Sequence, residues 1–176
     1  NLYLADYNNH TIRKIVMATG VVSTFAGTAG SSGSTDATGT SARFYEPQGI
    51  TTDGTNLYVA ERKNHAIRKI VISTGAVTTL AGIAGSSGAK SGRFNTPQGI
   101  TTDGTNLYVA DHLNHTIRKI VMATGVVSTF AGSPGSSGST NGTGTSARFK
   151  EPRGITTDGK NIYVTDNSNH TIRKIV

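Results

Sequence analysis

Short runs rich in Val, Ile, Thr and Tyr follow one another along the chain, separated by Gly, Asp and Asn. Within residues 49–82 they read GITTD (49–53), NLYVAE (56–61), HAIRKIVIS (65–73) and AVTTLAG (76–82). This is the composition of strands joined by tight turns, and no stretch carries a helical period. In NLYVAE, Leu57 and Val59 share one face of a strand, while Tyr58 and Ala60 share the other. Both faces are apolar. A sheet with one wet face would alternate apolar with polar residues, so the pattern predicts a small antiparallel sheet covered on both sides.

The pattern recurs. Asn1 returns as Asn56, Asn106 and Asn161, giving periods of 55, 50 and 55 residues. The shorter period is localised: the segments at 27–43 and 132–148 shrink to 82–93 in the copy between them. A length change inside a regular repeat marks a surface loop. Four strands per unit, labelled a to d, at this period predict an all-β chain of β-propeller blades. A β-solenoid would have shorter coils. The strand count runs b-c-d, a-b-c-d, a-b-c-d, a-b-c. That is about three and a half blades: a partial blade at 1–27, blades at 47–82 and 97–132, and a partial blade at 152–176. The expectation is an incomplete ring, completed by the remainder of a larger chain or by self-association.

Residues 97–120, PQGITTDGTNLYVADHLNHTIRKI, resemble the NHL repeat, and the likeness extends over nearly the whole chain. The resemblance implies a β-propeller. The family includes lyases, RNA-binding modules and surface proteins, so it leaves function open.

Differences between copies are concentrated at one end of the blades. The a–b turns (DGTN, DGTN, DGKN) and c–d turns barely change. The b–c turns read Tyr7-Asn8, Arg62-Lys63, His112-Leu113 and Asn167-Ser168, and the crossings between blades carry Tyr45, Asn95, Lys150 and Arg153. The candidate contact residues are Tyr7, Tyr45, Arg62, Lys63, His112, Leu113, Lys150, Arg153 and Asn167. His112 is expected in an exposed loop.

Charge and chemistry change this picture little. The net charge is +7, and eight of the 17 Lys and Arg are the repeated Arg-Lys pair of strand c. The basicity is therefore spread once per repeat. His10, His65, His115 and His170 recur one per unit and are expected to stabilise turns; no metal site or other cofactor is predicted. Asp53, Asp103 and Asp158 precede Gly at a hairpin, which is turn chemistry. Asp6, Glu61, Asp111 and Asp166 open the b–c turn, where a carboxylate can accept backbone N–H bonds. Catalytic carboxylates need unlike environments, and these are made alike by the repeat. With no Cys, a disulfide framework is excluded.

The expected role is a non-enzymatic interaction or structural scaffold of a larger, repeat-amplified surface or secreted bacterial protein. Its partner would be a protein or glycan, its location extracellular or cell-surface. RNA binding is the first alternative, through Arg62, Lys63, Lys150 and Arg153, although stacking aromatics are sparse there. A lyase- or lactonase-type enzyme is disfavoured, because metal ligands would have to converge from strand a, where Gly, Ile and Thr stand. No apolar run is long enough to span a bilayer.

Overall fold

The computed structural model describes residues 1–90 and 92–176. It is an all-β chain of four antiparallel sheets, each a simple meander. The first holds β1 (Leu2–Asp6), β2 (Thr11–Ile15) and β3 (Val22–Ala26). The second holds β4 (Pro47–Thr52), β5 (Asn56–Glu61), β6 (Ala66–Val71) and β7 (Val77–Gly82). The third holds β8 (Pro97–Thr102), β9 (Asn106–Asp111), β10 (Thr116–Val121) and β11 (Val127–Ala131). The fourth holds β12 (Pro152–Thr157), β13 (Ile162–Asp166) and β14 (Thr171–Ile175). These are blades of a β-propeller, with strand a innermost.

Glycine sets how closely the inner strands approach. A Cβ on Gly49 of β4 would lie 2.2 Å from the Gln98 carbonyl oxygen, and one on Gly99 of β8 would lie 2.3 Å from that of Arg153. Any side chain there would push neighbouring blades apart at the axis.

Between blades, the Tyr-bearing face of one sheet packs on the Leu- and Val-bearing face of the next. Ile12 and Ala26 meet Leu57, Val59, Ile70 and Val77 in the first interface. Tyr58, Ala60, Ile67 and Ala81 meet Leu107, Val109 and Ile120 in the second. Tyr108, Ala110, Ile117 and Ala131 meet Ile162 and Val164 in the third. Each fully buried aliphatic side chain contributes about 1.5–3 kcal/mol. The two outermost faces are the same surfaces uncovered. Leu2 and Leu4 are half exposed where their counterparts Leu57 and Val59 are buried, and Ile172 is 69% exposed.

The strand b tyrosines are more than core. The Tyr58 ring is buried, and its hydroxyl donates to Asp53 at 2.8 Å. Partial burial pushes the Asp53 carboxyl up, but bonds from Asn56, the Thr55 N–H and Tyr58 outweigh this and hold it at about 2. Asp103 repeats the arrangement with Asn106, Thr105 and Tyr108, also at about 2.

The repeated acid of the b–c turn anchors each blade. Glu61 accepts the Tyr45 N–H at 2.8 Å, as the sequence predicts for a turn carboxylate. It also accepts from Asn64 Nδ2 at 2.9 Å and from Arg68 Nη1 at 2.9 Å. Arg68 is wholly buried and lies 5.3 Å from the Phe44 ring centroid. Asp111, Asn114, Arg118 and Phe94 repeat this arrangement, with the ion pair at 3.1 Å. So do Asp166, Asn169, Arg173 and Phe149, with the pair at 3.0 Å. The Arg of each Arg-Lys pair is thus an internal ion in these blades. In the first blade the pair Arg13–Asp6 is partly exposed, at 3.3 Å.

Histidine then links blade to blade. His10, His65 and His115 end their b–c turns in the left-handed region, which His tolerates better than most residues. Their Nδ1 atoms accept the N–H groups of Glu46, Thr96 and Glu151, at 3.3, 3.0 and 3.2 Å, where the next inner strand begins. The turn-stabilising role expected of these residues thus extends across the interface.

The burial difference predicts unequal costs. Arg118→Ala leaves Asp111 buried without its counter-ion and should cost about 3–5 kcal/mol. Arg13→Ala breaks a partly solvated pair and should cost less than about 1 kcal/mol. Urea denaturation of both variants beside the parent chain checks the difference; equal losses would contradict it.

Candidate functional site

Two repeat positions bring side chains together at the variable end, each from three of the four units. One is the residue after the Pro that opens strand a: Gln48, Gln98 and Arg153. The other is the first residue of the b–c turn: Tyr7, Arg62 and His112. These six line a cavity of about 240 Å³. A second space of about 190 Å³ lies between Gln48, Gln98 and Arg153 and the adjoining Gly49, Gly99 and Gly154.

The turn residues arrive there because the b–c turn hydrogen-bonds to the crossing before its own blade. The N–H of Arg62 donates to the Glu46 carbonyl, that of Leu113 to Asn95, and that of Ser168 to Lys150. This fixes the turns at the same end as the crossings.

Within the cavity the polar groups are partly tied to one another. Gln48 Nε2 donates to Gln98 Oε1 at 3.1 Å. The Tyr7 hydroxyl donates to Glu46 Oε2 at 2.5 Å, and Arg62 Nη1 donates to the same oxygen at 2.6 Å. Burial pushes the Glu46 carboxyl up, but bonds from Tyr7 and Arg62 more than offset it and hold it below its ordinary value. Burial and the Glu46 carboxylate raise the Tyr7 phenol. Arg62 is therefore a neutralised cation. Arg153 is exposed and forms no ion pair among the described residues.

His112 departs from expectation. It is buried, and its Nδ1 has no hydrogen-bond partner among the described residues. Glu151, Pro152 and Arg153 of the next unit lie around the imidazole, so a turn that reads as exposed is covered by its neighbour. Burial lowers the imidazole pKa; Glu151 opposes this and Arg153 reinforces it.

Of the nine candidates read from the sequence, Tyr7, Arg62, His112 and Arg153 meet in the cavity. The other five lie outside its lining. Tyr45 stands edge-on to the His10 ring, with centroids 5.5 Å apart. Lys63 donates its N–H to the Tyr45 carbonyl. Leu113 is exposed, Lys150 donates its N–H to Asp166, and Asn167 begins the last b–c turn. Gln48 and Gln98 were missed by the sequence reading. They are the repeat counterparts of Arg153, and that equivalence was the signal that could have found them. Among the described residues, no group of three or more His, Cys, Asp or Glu is placed to hold a metal ion.

The electrostatics predict how His112 titrates. Arg153→Gln removes a neighbouring positive charge and should raise the His112 pKa, whereas Glu151→Gln should lower it. Imidazole proton shifts followed by NMR against pH measure both. Shifts of the same sign would contradict the cavity described here.

A family model for the NHL repeat matches residues 149–175. NHL repeat-containing protein 2 of Gallus gallus is 37% identical over 82 residues, which is 47% of this chain and 11% of that protein. The Homo sapiens protein of the same name is 37% identical over 81 residues, covering 45% of this chain and 11% of the relative. The matched part of the chain thus spans about a tenth of the length of these relatives. Among solved structures, a protein of unknown function from Bacteroides thetaiotaomicron VPI-5482 aligns with 98% of this chain and 43% of its own, at a TM-score of 0.78 and 24% identity. An auxiliary nutrient binding protein from the same organism aligns at a TM-score of 0.74 and 22% identity, over 99% and 44% of the two chains. Virginiamycin B lyase from Staphylococcus aureus aligns at 0.59 and 18%, over 98% and 50%. The last unit of this chain matches the NHL repeat model, and the units before it share its b–c hairpin and its acid–arginine pair.

Proposed function

We propose that the chain is a non-catalytic interaction or structural scaffold module whose contact face is the b–c turn and crossing end, centred on the axial cavity. One observation carries this reading. Residues that differ between copies converge on a single polar cavity, while the opposite end of every blade stays nearly constant. Amides and a guanidinium suit hydrogen bonding to a polar protein or glycan surface. The strand a positions at the axis hold Gln, Arg and Gly, which favours binding over metal-dependent lyase chemistry.

A surface or secreted location fits the Gly-, Ser- and Thr-rich crossings and the likeness to auxiliary nutrient binding proteins of Bacteroides. Among the described residues, no helix is long and apolar enough to cross a membrane. The uncovered Leu2/Leu4 and Ile172 faces match the surfaces that pack together inside the chain. A larger ring, from a longer chain or a second copy, would cover them.

RNA binding is the second reading, supported by Arg62, Lys63, Lys150 and Arg153 at the variable end. Pairing of Arg62 with Glu46 weakens it.

Screening the chain on a glycan array and a peptide array tests the first reading. Binding should be lost in a variant carrying Arg153→Gln and His112→Ala. It should persist with Lys160→Thr, which makes the fourth a–b turn match the others at the constant end. Loss with Lys160→Thr alone, or no effect of the double variant, would refute the proposed face. A gel shift with single-stranded RNA that weakens steeply with salt would favour the second reading.

A further inference from the structure

Beyond the axial cavity, the structure assigns a second binding site: a groove at the short crossing for an anionic sugar, held through its carboxylate or sulfate by Lys90 and Arg93. The groove has a volume of about 450 Å³, within the roughly 300–1,000 Å³ of small-ligand sites. Gly88, Ala89, Lys90 and Arg93 of the crossing line one side, and Asn114, Pro134 and Gly135 the other. It shares no lining residue with the axial cavity.

The two longer crossings show why these cations are available. Each crossing ends its loop in an arginine: Arg43, Arg93 and Arg148. The long crossings close a cage of carbonyls on it. Arg43 Nη1 donates to Thr40, Ser41 and Ala42 at 2.8, 3.1 and 2.8 Å. Arg148 Nη1 donates to Thr145 and Ala147 at 2.7 and 2.8 Å. The short crossing is pinned at the same points. The N–H groups of Gly33 and Gly88 donate to Phe44 and Phe94, at 3.1 and 3.0 Å, and those of Arg43 and Arg93 donate to Thr35 and Lys90, both at 3.1 Å. Asn64 and Asn114 donate to the carbonyls of Gly33 and Gly88, both at 2.7 Å. The residues missing between these points are the counterparts of 36–40, and the caging Thr40 is one of them. The Arg93 side chain forms no hydrogen bond or ion pair with the described residues, and its Nε is buried without a partner among them.

The same deletion changes the charge. Residues 33–43 carry Asp36 and Arg43 and are neutral; residues 88–93 carry Lys90 and Arg93 and no acid. Asp36 is the carboxylate that meets Arg68 at 2.6 Å, and Arg118 has no such partner in the short crossing. Lys90 is exposed and forms no ion pair among the described residues. Two cations line the groove and no carboxylate does. That arrangement suits an oxyanion, which takes strong charge-assisted hydrogen bonds from an ammonium and a guanidinium. A bare ion would leave most of the groove unfilled. Gly88, Ala89 and Gly135 leave room for a ring, and Pro134 gives it an apolar contact. Nucleic acid fits less well, because two cations make no phosphate track and no aromatic side chain lines the groove for stacking.

Titration of the intact chain with glucuronate, glucose 6-sulfate, sodium sulfate and neutral glucose, followed by backbone amide shifts in NMR, tests the site. Saturable shifts at Gly88, Lys90 and Gly135 are expected with the two anionic sugars and not with glucose. Arg93→Gln should weaken binding roughly tenfold or more, the usual loss for a hydrogen bond to a charged group. Lys90→Ala should weaken it roughly threefold, because an exposed cation is screened by salt. Inserting Asp-Ala-Thr-Gly-Thr after Lys90 rebuilds the cage and the acid, and should abolish binding; should that variant fail to fold, the two surface substitutions still decide the outcome. The axial variant carrying Arg153→Gln and His112→Ala should bind the anionic sugars as the parent does, which separates this groove from the proposed contact face. The site is overturned by no saturation with either anionic sugar up to about 50 mM, by parental affinity in Arg93→Gln, or by shifts confined to the axial residues. Equal affinity for sulfate and the anionic sugars would reduce the groove to an ion site and overturn the sugar as occupant.

Discussion

Each complete blade is organised around a carboxylate that has been taken out of water. Glu61 and Asp111 are fully buried, and burial pushes both carboxyls above their ordinary range. What partly offsets burial is the positive charge of an Arg together with bonds from that Arg, an Asn and a backbone N–H of the crossing. Three chain segments must therefore meet before the charge is satisfied. A buried pair of this kind contributes little net stability against an apolar substitute, yet it is costly to break. Its value lies in defining one arrangement: the b–c turn, strand c and the incoming crossing are joined at a single atom group.

In the first blade Asp6 accepts from Asn9 and Arg13, and its pair is partly solvated. The third blade shows another variation. Its crossing is the short one, and Arg118 is held by Asp111 and the carbonyls of Arg93 and Ser128, without the acidic clamp that Asp36 supplies to Arg68.

The blade pattern was legible because period-2 apolar runs and Asp-Gly turns are local signals repeated four times. The variable end was legible because copies within one chain can be compared directly. Other features depended on pairing register. Glu61 lies opposite Ala66 in the b–c ladder, so Arg68, two residues on, shares its face and can reach it. That contact is implicit in the hairpin but does not show in linear spacing. The burial of His112 could not be read from its own turn, because the atoms that cover it belong to the next unit. Gln48 and Gln98 escaped notice because their approach to the axis depends on the close contact that Gly49 and Gly99 permit, a relation between blades rather than within one.

The histidine bridge has a consequence for cooperativity. Each imidazole joins a turn to the start of the following blade only, and each acid–arginine cluster lies within one blade and the crossing that leads into it. Couplings therefore run between nearest neighbours, as in a one-dimensional array. Damage to one unit should be felt strongly next door and fade beyond it, and each added copy should raise stability by a similar increment. An array with that property can grow by duplication without redesigning any blade already present.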